Sequence, residues 1–145
     1  MTIPRFLWYI VFVMKKIIHI IIKIVFSLLL VSPILGTFGV FPAPTAEMYS
    51  NPQAFQFIQV LMSSHYIMIL MAIVHILALI ALWTRREALA AALELPIVLN
   101  IVGFHAFLDG GLLTTGAIMG NVLLIIVLCV MWKNRGQYNQ LLGKN

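Results

Sequence analysis

A carboxylate, an amide, an imidazole and a second carboxylate run through the otherwise apolar stretch ELPIVLNIVGFHAFLDGG, residues 94–111. Read as a helix at about 100° per residue, Glu94, Val98, Ile101, His105 and Asp109 share one narrow face, while Asn100 points elsewhere. Ionisable side chains are costly in hydrocarbon and normally face a bundle interior or a wet cavity, so this face is the first place to look for ligand chemistry. His105 and Asp109 are helical neighbours within hydrogen-bonding reach. Held by the carboxylate, the imidazole can accept a proton, donate to a ligand carbonyl, or lock the turn that follows. Asp109 also sits where a helix C-terminus disfavours negative charge, which gives it its own need for His105. The candidate ligand-binding residues are therefore His105, Asp109 and Asn100, joined by His65, which opens the preceding apolar run on the same side.

Three further polar residues form an inner layer: Lys23, His75 and Glu94. Lys23 lies roughly 9 Å into its span and either snorkels to the interface or pairs with Glu94, which lies at a similar depth. His75 and Glu94 differ little in estimated depth; together they can relay protons, hold a quinone-like head group, or simply specify helix register. No metal site is expected, because His65, Glu47, His105 and Asp109 have scattered rather than ligand-like spacing. Haem is disfavoured on similar grounds: His19 is inner, His75 central and His105 outer, leaving His65 with His105 as the matched pair, at an exposed level. The single cysteine, Cys129, excludes an internal disulfide or a CxxC redox pair. There is no nucleophile elbow, phosphate loop or HExxH, so hydrolase and nucleotide chemistry lack support.

The elements that must position these residues are membrane spans. Hydrophobic residues make up 63% of the 145 and charged ones 9%, with a mean hydropathy of +1.08. Apolar runs over about 17–38, 66–83, 88–108 and 112–132 are each long enough to cross roughly 30 Å of hydrocarbon as helices. The expected fold is all-α, an integral membrane four-helix bundle over 17–132. Residues 1–16 read as a separate interfacial segment, since a span starting at Phe6 would bury Lys15, Lys16 and Lys23 together. Residues 133–145 form a polar tail. Between the first two spans, Pro42, Pro44 and Pro52 precede a run from about Gln53 to Met62 with helical apolar spacing, read as an amphipathic outer-face segment. The last two spans, joined by Asp109, Gly110 and Gly111, must be antiparallel neighbours. Gly116 and Gly120 form a small-xxx-small pattern that serves either internal packing or oligomerisation.

Charge fixes orientation. Every Lys and Arg lies before or in the first span, between the second and third, or in the tail. By the positive-inside rule both termini are cytoplasmic in a multi-pass membrane protein. The net charge of +5 then reflects topology and attraction to membrane lipids, and no basic patch favours nucleic acid.

The stretch LPIVLNIVGFHAFLDGG resembles the third-helix signature of the DoxX-like family of small bacterial membrane proteins, an apolar helix with Pro, Asn-Ile and Phe-His running into a Leu-Asp turn. MSSHYIMILMAIVHILALIALWTRREALAA resembles the family's second helix and basic turn, and RGQYNQLL its cytoplasmic tail, so the resemblance covers about residues 17–142. It implies a four-helix bundle in the bacterial cytoplasmic membrane, associated with quinol-linked and thiosulfate-oxidising systems or with oxidative-stress complexes. The chain departs from the family where an acid is usual in the second helix: it has His75 there, and places Glu94 in the third helix.

The resulting expectation is an accessory subunit of a membrane redox assembly that binds a quinone or similar lipophilic ligand, with a redox-protein partner or a second copy of itself. No motif gives it an activity of its own; a redox link would make it a subunit of a quinone-dependent oxidoreductase. The alternatives are a structural scaffold without ligand chemistry and, behind it, a small proton-coupled transporter.

Overall fold

A helix needs a backbone reason to stop, and the lysines near the N-terminus do not supply one. In the computed structural model, which describes residues 5–141 and 143, the first helix, α1, runs unbroken over Arg5–Thr37. The division expected at residue 16 is absent. Neither Pro nor Gly occurs between Arg5 and Pro33, and two lysines on an exposed face do not interrupt backbone hydrogen bonding. At about 1.5 Å per residue α1 is roughly 50 Å long, against roughly 30 Å of hydrocarbon, so it has length to spare beyond one span. Residues 1–4 of the expected interfacial segment, and 142, 144 and 145 of the tail, lie outside the described residues.

After α1 the chain makes a turn through Gly39 (φ +73°) and a single 3₁₀ turn, Ala46–Met48. The short helix α2 then spans Pro52–Ser63, one residue longer at each end than expected. Asn51 caps it, its side-chain oxygen accepting the Gln53 N–H at 3.0 Å, and Pro52 occupies a first-turn position where no N–H is needed. The helix α3, Tyr66–Trp83, has the expected bounds. Next come α4, Glu87–Phe107, and α5, Thr115–Lys133, the latter starting three residues later than expected. The delay follows from Gly110 and Gly111, whose φ values of +86° and +117° are non-helical, and from Thr114, whose hydroxyl caps the Ala117 N–H. The tail, read as merely polar, forms a short helix α6, Arg135–Leu141, tied back by the Tyr138 hydroxyl donating to Ala88 O at 2.6 Å.

The described residues contain no strand. Four helices, α1, α3, α4 and α5, are long and apolar enough to cross a membrane, which makes this a multi-pass membrane protein. Their surface agrees: Ile20, Ile24, Leu70, Leu77, Ile80, Ile118, Ile125 and Leu128 are exposed, whereas Glu94, His75 and Asp109 are buried. Helix α4 is central, packing closely on both α3 and α5, while α1 lies mainly against α3. Its inward residues Ala91, Glu94 and Val98 are spaced by three and four, as in a coiled-coil seam. Phe26 and Leu30 of α1, Ala78 and Leu82 of α3, and Leu123 and Val127 of α5 complete one apolar core with it. In lipid, close packing rather than water exclusion holds helices together, and alanines at 78, 81, 90 and 91 let α3 and α4 approach.

Candidate functional site

Helix α4 and the turn after it hold three carboxylates at separate levels, each hydrogen-bonded by at least one basic side chain. At the basic end, Glu87 opens the helix, where the dipole favours a carboxylate. It accepts from Lys23 at 2.8 Å, from Lys133 at 3.0 Å and from His19 Nε2–H at 2.9 Å. Lys133 Nζ also donates to His19 Nδ1 at 3.2 Å, which fixes the neutral Nε2–H tautomer of His19. Lys23 spends a further donor on Leu82 O at 3.0 Å. The pairing of Lys23 with Glu94 is therefore not formed. Glu87 is not among the residues that the sequence reading singles out, yet it lies seven residues before Glu94, on the same helix face, and this spacing is the signal that could find it.

The middle layer is His75 with Glu94. They are 1% and 0% exposed, and His75 Nδ1 lies 2.9 and 3.0 Å from the two carboxylate oxygens. Near-equal distances fit one Nδ1–H shared between both oxygens of an ionised carboxylate. The other ring nitrogen, Nε2, is buried and has no hydrogen-bond partner among the described residues.

At the far end the expected His105–Asp109 pair is present, with His105 Nδ1–H donating to Asp109 Oδ2 at 2.8 Å. The second carboxylate oxygen is also used: it accepts the backbone N–H of Ser50 at 2.8 Å, which anchors the Pro-rich segment to the α4–α5 turn. Sequence reading missed Ser50, because a backbone donor carries no side-chain signature. Gly110 makes the approach possible, since a Cβ there would lie 3.0 Å from Ser50 Cβ. Gly116 is as specific: a Cβ would lie 2.7 Å from His105 Cε1, so the imidazole rests on the α5 backbone. Gly120 likewise faces Ile101 of α4, and both glycines serve packing within the chain. Tyr49 completes this end. Burial, and secondarily the charge of Asp109, holds its phenol above the ordinary pKa of 10.0.

The two remaining candidates lie apart from this pair. His65 is exposed at the start of α3 in a left-handed conformation (φ +46°), and no side-chain hydrogen bond joins it to His105 or Asp109. Asn100 is exposed on another face of α4, where Phe57, Pro96, Leu99, Gly103, Phe104 and Phe107 line a groove of about 500 Å³ between α2 and α4. Phe104 connects the groove to the pair behind it: its ring stacks on Phe57 at 5.8 Å and meets the His105 ring edge-on at 5.0 Å. Among the described residues no three His, Cys, Asp or Glu side chains converge as a metal site would require.

Compared with known protein families, with curated proteins and with solved structures, the chain matches none.

Proposed function

We propose that this chain is a DoxX-like accessory subunit of a membrane redox assembly, a four-helix bundle that binds a quinone or similar lipophilic head group in the groove between α2 and α4. It lies in the bacterial cytoplasmic membrane with both termini cytoplasmic, a reading supported by the confinement of every Lys and Arg to one side of the four spans. On that reading α2 is an outer-face helix roofing the groove.

The groove is the observation that carries the ligand. Its walls are aromatic and apolar, with rings at Phe57, Phe104 and Phe107 for stacking, and Asn100 supplies an amide N–H for a carbonyl. The outer polar pair supports the site rather than facing the ligand. Asp109 already has two donors and His105 lies against Gly116, so both orient Phe104 from behind. A scaffold without ligand chemistry is favoured by this same saturation, and one experiment separates the two.

Titration of purified protein with a short-chain quinone should give saturable binding. Asn100→Leu should weaken it about five-fold, the worth of roughly one hydrogen bond. Gly103→Leu should abolish it: Gly103 lines the groove and a Cβ there meets nothing within 4 Å, so a larger side chain is directed into the ligand's space, with an unchanged Tm as the check that the fold is intact. Absent binding, or equal binding by the Gly103→Leu protein, leaves the scaffold reading in place.

A further inference from the structure

We propose that the crevice between α1 and α5 at the basic end binds the phosphate of an anionic phospholipid, held by Lys133 and Lys23. The argument starts from a balance of charges. One carboxylate, Glu87, faces two ammonium groups, Lys23 on Oε1 at 2.8 Å and Lys133 on Oε2 at 3.0 Å. His19, bonded to both Glu87 and Lys133, contributes no negative charge. The other carboxylate side chains are elsewhere: Glu94 is with His75, Asp109 with His105 and Ser50, and Glu47 is exposed on the 3₁₀ turn. The cluster therefore keeps at least one positive charge in excess, and Arg85 and Arg86, exposed in the turn before Glu87, only add to it. Such a charge at the edge of hydrocarbon calls for an anion.

The donors lead to the same conclusion. An ammonium group has three N–H donors. Lys133 uses one on Glu87 and one on His19 Nδ1; the third has no acceptor among the described residues, and the side chain is 54% exposed. Lys23 likewise uses two, on Glu87 and on Leu82 O, with its ammonium 5.8 Å from the centre of the Trp83 ring. Glu87 thus fixes both ammonium groups on one carboxylate before any ligand arrives, and both line the same crevice. A phosphate oxygen is the acceptor that such a pair suits, through charge-assisted hydrogen bonds.

The crevice exists because α1 leans on α3 and touches α5 little. Between Ile22 on one side and Val130 on the other, this leaves a cavity of about 60 Å³. At about 30 Å³ for each water it has room for the oxygens of one phosphate, so the chains of the lipid stay outside, along the exposed apolar surface of both helices. The level suits a headgroup. Here α3 ends at Trp83, α4 begins at Glu87 and α5 ends at Lys133, with the exposed Trp83 and Trp132 forming an interfacial belt. On α1, Lys16 shares the face of His19 and Lys23 and is exposed one turn beyond His19, adding positive charge along the approach. The α2–α4 groove lies along the other half of α4, so this site stands independently of it.

The test is native mass spectrometry of the delipidated full-length protein in detergent, given dioleoyl phosphatidylglycerol, dioleoyl phosphatidylcholine or inorganic phosphate. One phosphatidylglycerol should be retained per chain in preference to phosphatidylcholine, whose phosphate carries its own cation. Inorganic phosphate in large excess should not displace it, because it lacks the chains. Lys133→Gln removes both the excess charge and the spare donor and should weaken retention about ten-fold, the worth of roughly one charged hydrogen bond. Lys15→Gln removes an equal charge from the exposed surface of α1 outside the crevice and should leave retention unchanged. Equal retention of the two lipids, displacement by inorganic phosphate, native retention by the Lys133→Gln protein, or an equal loss in the Lys15→Gln protein would each overturn the proposal. Should Lys133→Gln not fold, the contest between the two lipids and inorganic phosphate on the native protein decides alone.

Discussion

Tyr49 reports on the Asp109 end one residue at a time. Its ring lies against Phe104 and Phe55, at 6.2 and 5.8 Å between centroids, and its phenol is held above the ordinary value by burial and then by the Asp109 charge. The sign follows from linkage. The folded chain keeps this proton more tightly than the unfolded chain, so the contribution to stability is complete below the unfolded value of 10.0 and is lost as pH rises through the folded value. Thermal unfolding in detergent should therefore show Tm falling above about pH 10, and Tyr49→Phe should flatten that fall. An identical decline in the variant would place the alkaline sensitivity elsewhere. Of the site residues, His105 with Asp109 was legible from spacing alone, since a helix puts positions four apart side by side. The partner of Lys23 was not. Depth along a span says which groups share a level, but not which helix faces meet, and two carboxylates, Glu87 and Glu94, fell within the range of one flexible lysine.

Helix α4 owes its position to small residues on its neighbours, and here element-level packing gives a graded prediction. At Gly116 an added methyl meets the His105 ring, which Asp109 holds at 2.8 Å and which cannot swing away without losing that bond. At Gly120 it meets Ile101 Cγ2 at 2.9 Å, a branch methyl on a helical side chain with one strongly preferred χ1 rotamer, but no hydrogen bond is at stake there. Overpacking costs about 1–3 kcal/mol, against a gain of about 1 kcal/mol in helix propensity for Gly→Ala. Both substitutions should thus lower Tm, Gly116→Ala by more because it also strains the His105–Asp109 bond; the reverse order would contradict the assignment of His105 to the α5 backbone. The bounds of α3 could be read from apolar length and the turns around it. The length of α1 could not, because the lysines at 15 and 16 suggested a boundary that only a helix breaker would have enforced. Helix α6 was hidden for the opposite reason: RGQYNQL has no apolar periodicity, and it is held by one tyrosine reaching Ala88.

At the scale of the whole molecule, polar groups are sorted into layers separated by apolar ones. The layer at the basic end ties α1, α4 and α5 through one carboxylate, the middle one joins α3 to α4, and the last pins the α4–α5 turn to the Pro-rich segment. This accounts for a chain with few charges that still places carboxylates in the interior: each accepts hydrogen bonds from groups beside it, so the membrane surface can remain apolar. It also leaves the α2–α4 groove, with its aromatic rings and the Asn100 amide, as the proposed place for a lipophilic ligand. Photoaffinity labelling with a ring-modified quinone, read by peptide mass spectrometry, tests this most directly. Adducts on the segments around Phe57 and Phe104 to Phe107, lost in the Gly103→Leu protein, are the predicted result; adducts confined to α1 or α5, or unchanged by Gly103→Leu, would contradict it.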